Sequence, residues 1–352
     1  MRIRAAFALA LAALLPGCAT LEYYWQAIGG QLEVIGRAQS IAERLRDPSL
    51  PPSLREKFQR VLAIREFASA ELALPDNGSY RRYADLDRQF VVWNVFAAPE
   101  FSVKPIESCF PFAGCVGYRG FYRESDARSH AQSLRDKGYD VHVAGVPAYS
   151  TLGWFDDPVL NTFIRYPDAE IARLVFHELA HQVAYARDDT VFNESFAVTV
   201  EQEGVRRWLD RRGTQAERDA YAIHQSRRRD FVALILRYRD RLSAFYAEPL
   251  DVQRMREGKA RLFAEMLEDY ARLKAKWGGF AGYDRFFAQG PNNALLASVV
   301  AYTERVPAFR ALLAQKGGDL AAFYAEVKRL ARERRPERNQ FLDRVHAGTS
   351  SP

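Results

Sequence analysis

Residues 174–181 read Leu-Val-Phe-His-Glu-Leu-Ala-His, and no other stretch restricts the fold as much. Residues four apart share a helix face, so a helix here sets the imidazoles of His177 and His181 side by side. Leu174, Val175, Leu179, Ala180 and Val183 make the rest of that helix apolar and predict that it is buried. Buried imidazoles are costly without polar partners. Two readings follow: a hydrogen-bonded core pair, or a chelate for one metal ion. Histidine is scarce, six in 352 residues, yet two fall within one helical turn. Glu178 can reach over a metal to its water as a general base, so the spacing favours a zinc chelate. Pro167 and Asp168 are start signals for the helix.

A catalytic zinc takes three protein ligands and keeps a fourth position for water. The run from Asp188 through Asn193, Glu194 and Ala197 to Glu201 offers the third ligand. Arg187 to Asp189 is polar and reads as a turn, so a second helix folds back and brings Glu194 toward the histidines. Glu201 lies two helical turns further along the same face. It is read as a site for a substrate amine, a partner for a ligand histidine, or half of a surface ion pair. His-Glu-x-x-His followed by Asn-Glu-x-Phe-Ala-x-x-x-Glu resembles the gluzincin metallopeptidases, whose third ligand is the Glu of an Asn-Glu motif. The resemblance implies one zinc per chain on His177, His181 and Glu194, with Glu178 taking a proton from the attacking water.

A wider similarity covers most of the mature chain. Ala148 to Phe155, Phe192 to Ala197, Asn292-Asn293-Ala294, and Tyr302 with Val306 to Phe309 are similar to a bacterial family named predicted aminopeptidases, whose members are lipoproteins. It implies a zinc peptidase, an aminopeptidase more narrowly, with a zinc endopeptidase or a non-catalytic envelope lipoprotein as alternatives. Val198 stands where thermolysin-like enzymes carry an Asp that orients a ligand histidine. That acceptor is expected elsewhere, at Asn193 or a backbone carbonyl. Tyr302, Tyr149 and Tyr283 are candidate donors to an oxyanion, Tyr302 foremost, and Asn293 joins the substrate-side candidates. The Gly-Ala-Met-Glu-Asn motif with which large zinc aminopeptidases hold a substrate is missing from the chain.

The N-terminus bears on the compartment. Arg2 and Arg4 precede an apolar run from Ala5 to Leu15 that meets Pro16-Gly17-Cys18, the pattern of a secretory signal peptide over residues 1–17. Leu15-Pro16-Gly17-Cys18 resembles the bacterial lipobox, which implies that Cys18 is acylated and anchors the chain to a membrane, the outer membrane by preference. The expected location is therefore the periplasm. There, Cys109 and Cys115 are predicted to form a disulfide closing a small loop. A zinc pair is the rival reading, with a spacing wider than usual.

Three regions follow the leader. Residues 18–87 read as helical, with Pro48, Pro51 and Pro52 separating two helices. Residues 88–167 are β-rich: Phe90 to Phe96, Gly117 to Tyr122, Tyr139 to Val143 and Ala148 to Gly153 read as strands, the last as an edge for a peptide substrate, with a helix over Ser125 to Lys137. Residues 168–352 are helical and carry the zinc site. The expected class is α+β, a small sheet followed by a mainly helical body with a gluzincin-like active-site helix. The 48% hydrophobic content is ordinary for a globular chain. The net charge of +6 includes Arg2 and Arg4, and no basic stretch is interleaved with aromatics, so nucleic-acid binding is not expected. Arg329 to Arg338 reads as a solvated helix end. His130, His142, His224 and His346 lack chelating spacing and are read as structural. Asp156 and Asp157 are assigned to a loop or cap.

Overall fold

The helices that carry His177, His181 and Glu194 sit at the centre of a mixed α+β molecule, described here from a computed structural model for residues 23–110 and 114–349. The leader and Cys18 lie outside the described residues. Helix α5 (Asp168–Val183) begins after Pro167, whose fixed φ suits a helix start, and carries Asp168 and Glu170 in its first turn. Helix α6 (Thr190–Arg212) is capped by Asp189, whose carboxylate accepts the Phe192 N–H at 3.1 Å. The two pack closely because Gly204 of α6 has no side chain. A Cβ there would lie 2.7 Å from Phe176 and 2.8 Å from Leu72.

The main core gathers around this pair. Helix α3 (Pro52–Ala70) contributes Phe58, Val61 and Ile64, and α11 (Val306–Gln315) and α12 (Leu320–Arg332) contribute Phe309, Leu312, Phe323 and Val327. A second cluster lies between α7 (Gln215–Phe245), α8 (Val252–Lys276) and α10 (Asn293–Thr303), built on Phe231, Ile235, Met266 and Leu296. The chain closes with α13 (Arg335–Thr349). Arg338 of α13 is buried, donating to Asp189 Oδ2 at 2.8 and 3.1 Å and stacking 4.9 Å over Phe192. The expected solvated helix end is corrected at this residue. Its neighbours supply Glu and Arg in mixed order, which hides a tertiary partner from any local reading.

The sheet that faces the helical body has the order β6-β3-β7, from β3 (Val92–Ala98), β6 (Arg119–Phe121) and β7 (Asp140–Val146), all pairs antiparallel. Trp93, Val95, Phe121 and Val141 point one way and pack on α4 (Glu124–Arg135) with Ala127, Ala131 and Leu134. Val92, Asn94 and Phe96 alternate to the other face, toward the helices. A hairpin of β4 (Ser108–Phe110) and β5 (Gly114–Val116) is closed by a Cys109–Cys115 disulfide. A third small sheet joins β1 (Gln39–Ser40), β2 (Arg82–Ala84) and β8 (Val159–Leu160). Residues 23–37 form α1, and Ile41–Arg44 the short α2.

The expected edge strand Ala148 to Gly153 is corrected: these residues form an irregular loop after β7. Leu152 and Gly153 both adopt positive φ, 57° and 83°, which no strand accommodates. Ser150 Oγ accepts the Leu152 N–H at 3.0 Å, and Asp157 Oδ2 accepts the Thr151 N–H at 3.0 Å, tying the loop to itself. Among the described residues, no helix is long and apolar enough to cross a membrane.

Candidate active site

Helices α5 and α6 bring His177, His181 and Glu194 together as a buried cluster whose ligand atoms all lie within 4.8 Å of one another. Glu194 Oε2 is 3.2 Å from His177 Nε2 and 3.6 Å from His181 Nε2. The two imidazoles stand edge to face with centroids 4.9 Å apart. This donor set, two imidazole nitrogens and a carboxylate, is one that zinc accepts. The electrostatics agree. Burial alone would discharge His177, yet the carboxylates of Glu194 and Glu201 raise it to about 10. Burial likewise opposes charge on Glu194, and the histidines overcome it, holding the carboxyl down at about 2. The cluster is built to surround a positive charge.

Glu201 supplies the acceptor that Val198 does not. It is fully buried, and its Oε2 lies 2.9 Å from His177 Nδ1. Arg173 donates to the same oxygen at 3.2 Å, and Arg228 to Oε1 at 2.8 Å. Burial would neutralise Glu201, but the two guanidinium groups and His177 keep its carboxyl strongly acidic. An anionic partner at Nδ1 orients the ring and leaves Nε2 as the ligand atom. The surface ion pair entertained from sequence is therefore excluded. The expected role of Asn193 is corrected as well. Its amide accepts the Ala186 N–H at 2.7 Å and donates to the Ala186 carbonyl at 2.8 Å, clamping the turn between α5 and α6 instead of holding a histidine. His181 Nδ1 is buried and has no partner among the described residues.

The cluster lies in a cleft of about 500 Å³ between the sheet face and the helices. Glu178 is buried within it, and burial raises its carboxyl above the usual range, against the pull of His177 and His181. Tyr302 of α10 also lines it, its ring 6.4 Å from that of His177 and inclined 27°. Tyr118, Tyr122, Tyr149 and Tyr185 complete an aromatic lining. Tyr149 lies in the cleft, but its hydroxyl is engaged with Gln31 and its ring meets Tyr122 edge-on. Tyr118, which sequence reasoning missed, is half-buried near Glu194, and desolvation with that carboxylate raises its hydroxyl far above the ordinary range. No local pattern marks Tyr118, since its position depends on strand pairing. Tyr283 is not at the cluster: it stacks on Phe231 at 4.0 Å, beside a second cavity.

Asn293 is placed away from the cleft, a correction. Its amide donates to the Glu100 carbonyl at 2.9 Å and its Oδ1 accepts the Tyr246 hydroxyl at 3.0 Å, anchoring the start of α10. Its signal as a substrate residue came from position in a shared pattern, which a structural anchor satisfies equally. His142 and His224 border the second cavity, and His130 packs on Phe121. Asp157 is buried beneath the loop, apart from the cleft lining.

The disulfide hairpin docks at the turn between the ligand helices. Asp188 Oδ1 accepts the Cys115 N–H at 2.6 Å, and Gly114, at φ 77°, leaves room for that carboxylate where a Cβ would sit 2.4 Å away. Phe110 of the hairpin thereby joins the cleft lining, as do Tyr23 and Ala27 of α1. No curated protein and no solved structure gives a significant match to the chain. Residues 22–342 match the family described as Putative aminopeptidase, and the chain belongs to that family.

Proposed function

We propose that the protein is a zinc metallopeptidase, an aminopeptidase by family, lipid-anchored through Cys18 in the periplasm and acting on short peptides. The observation that carries this is the convergence of His177, His181 and Glu194 within 4.8 Å, with Glu178 in the same cleft. Zinc held by these three side chains would supply Lewis acidity, polarising the peptide carbonyl and acidifying water beside it. Glu178 removes a proton from that water as its oxygen bonds to the carbonyl carbon. The same carboxyl then delivers the proton to the amide nitrogen as the carbon–nitrogen bond breaks, so one water is consumed per bond. Tyr302 and Tyr118 stand close enough to the cluster to be the donors tested for the oxyanion. Glu201, held by Arg173 and Arg228, keeps the His177 ring in register throughout. The lipobox at Cys18 supports the anchor, and the Cys109–Cys115 bond agrees with an oxidising compartment.

The test is Glu178→Gln. We expect one zinc per chain by elemental analysis in both proteins, with peptide hydrolysis reduced at least about a thousandfold in the variant. Equal turnover by variant and wild type would sink the peptidase reading, and a metal-replete protein without zinc would sink the cofactor.

A further inference from the structure

The cleft continues past Tyr302 into a second cavity of about 460 Å³, and Arg173 and Arg228 border both. Their charges are unequally matched. Arg173 donates to Glu170 at 2.7 Å as well as to Glu201. Arg228 makes one hydrogen bond among the described residues, from a single nitrogen to Glu201, while a guanidinium carries five N–H donors. Its remaining edge is half-buried at the junction, where a planar carboxylate can be held by two parallel bonds. The carboxylates lining the main cleft are Glu178, Glu194 and Glu201, each already committed to the reaction, the metal or His177. Glu170, which lines the second cavity, is bonded to Arg173, so the N–H donors left open where the two cavities meet belong to Arg228.

Position agrees with this role. Two hydrogen bonds, of 2.8 and 2.9 Å through Glu201, connect Arg228 to His177. One or two residues of extended peptide, about 3.5 Å each, span such a gap. Beyond Arg228 the second cavity presents Phe96, Phe231, Phe286 and Val299, a lining suited to an apolar side chain.

We propose that Arg228 receives a peptide carboxylate, the C-terminus of a substrate cut one or two residues upstream, with its last side chain in the second cavity. The substrate class is then short peptides with a free carboxyl end and an apolar final residue. This rests on the peptidase reading above, and the binding measurement separates the two. Three tripeptide pools ending in Phe, in Phe-amide or in Glu-amide serve as probes. For the zinc-loaded wild type we expect kcat/KM about tenfold or more higher on the free acids than on the Phe-amides, the difference lying in KM. Arg228→Gln, compared with wild type at equal zinc loading, lowers the acid-to-amide ratio to about one whatever its turnover on the amides, and Arg228→Lys restores part of the ratio. In zinc-loaded Glu178→Gln, calorimetry gives the same preference without turnover. Binding preference without any wild-type hydrolysis supports Arg228 while overturning the peptidase reading. Equal handling of acid and amide overturns the Arg228 assignment, and acid-like handling of the Glu-amides overturns its terminal form.

Discussion

At the scale of single residues, Glu201 is the side chain on which the ligand set depends most. It is wholly buried, accepts from two guanidinium groups, and faces His177 Nδ1 at 2.9 Å. Replacing Glu201 with Gln keeps the shape but removes the charge that would make His177 a strong zinc ligand. We expect zinc affinity to fall about 10- to 100-fold, measured by competition with a chromogenic chelator. Unchanged affinity would show that the ring is oriented by packing alone. His177, Glu178 and His181 were legible from sequence because chelation at four-residue spacing is local to one helix. Glu194 was legible because the second helix follows after a short turn. The partner of His177 was ambiguous, since three roles fitted position 201 until Arg173 and Arg228 were seen on it.

At the scale of elements, the approach of α5 to α6 governs whether Glu194 can reach the histidines. Gly204 permits that approach, against Phe176 and Leu72, both fully buried. An Ala at 204 gains up to about 1 kcal/mol in helix propensity but meets carbon atoms closer than any relaxed contact, which costs about 1–3 kcal/mol. Gly204→Ala is expected to lower the urea midpoint and weaken zinc retention together. A midpoint raised by the substitution would mean that the helices have slack. The long helices and the strands β3 and β7 were legible because their apolar periods are sustained. Strands β1, β2 and β8 were not, since two or three residues carry no period. Ala148 to Gly153 imitates a strand in composition, whereas the positive φ at Leu152 and Gly153 forbids one.

At the scale of the whole molecule, Arg338 joins the last helix to the first turn of α6. Arg338→Ala leaves buried Asp189 with only the more distant Arg335, at 3.9 Å, as counter-charge, and we expect a loss of about 3 kcal/mol by equilibrium unfolding. A loss below about 1 kcal/mol would place Asp189 in effective contact with solvent. Acid acts on the fold through His142, which burial and then Arg135 depress from 6.5 to about 4. The folded chain resists a proton that the unfolded chain accepts, so this contribution is complete above about pH 6.5 and fades toward pH 4. His142→Phe should therefore lose less stability than wild type between about pH 7.5 and 5, as read from denaturant midpoints. Identical losses would remove His142 from the account. The Arg338–Asp189 tie was not legible, because it joins segments whose local sequences read as ordinary surface. The grip of Arg338 on Asp189 also has a bearing on timing. The residue that fastens the beginning of the Glu194 helix is synthesised about 150 residues after it, so the start of α6 gains this tie only once the last helix has been made.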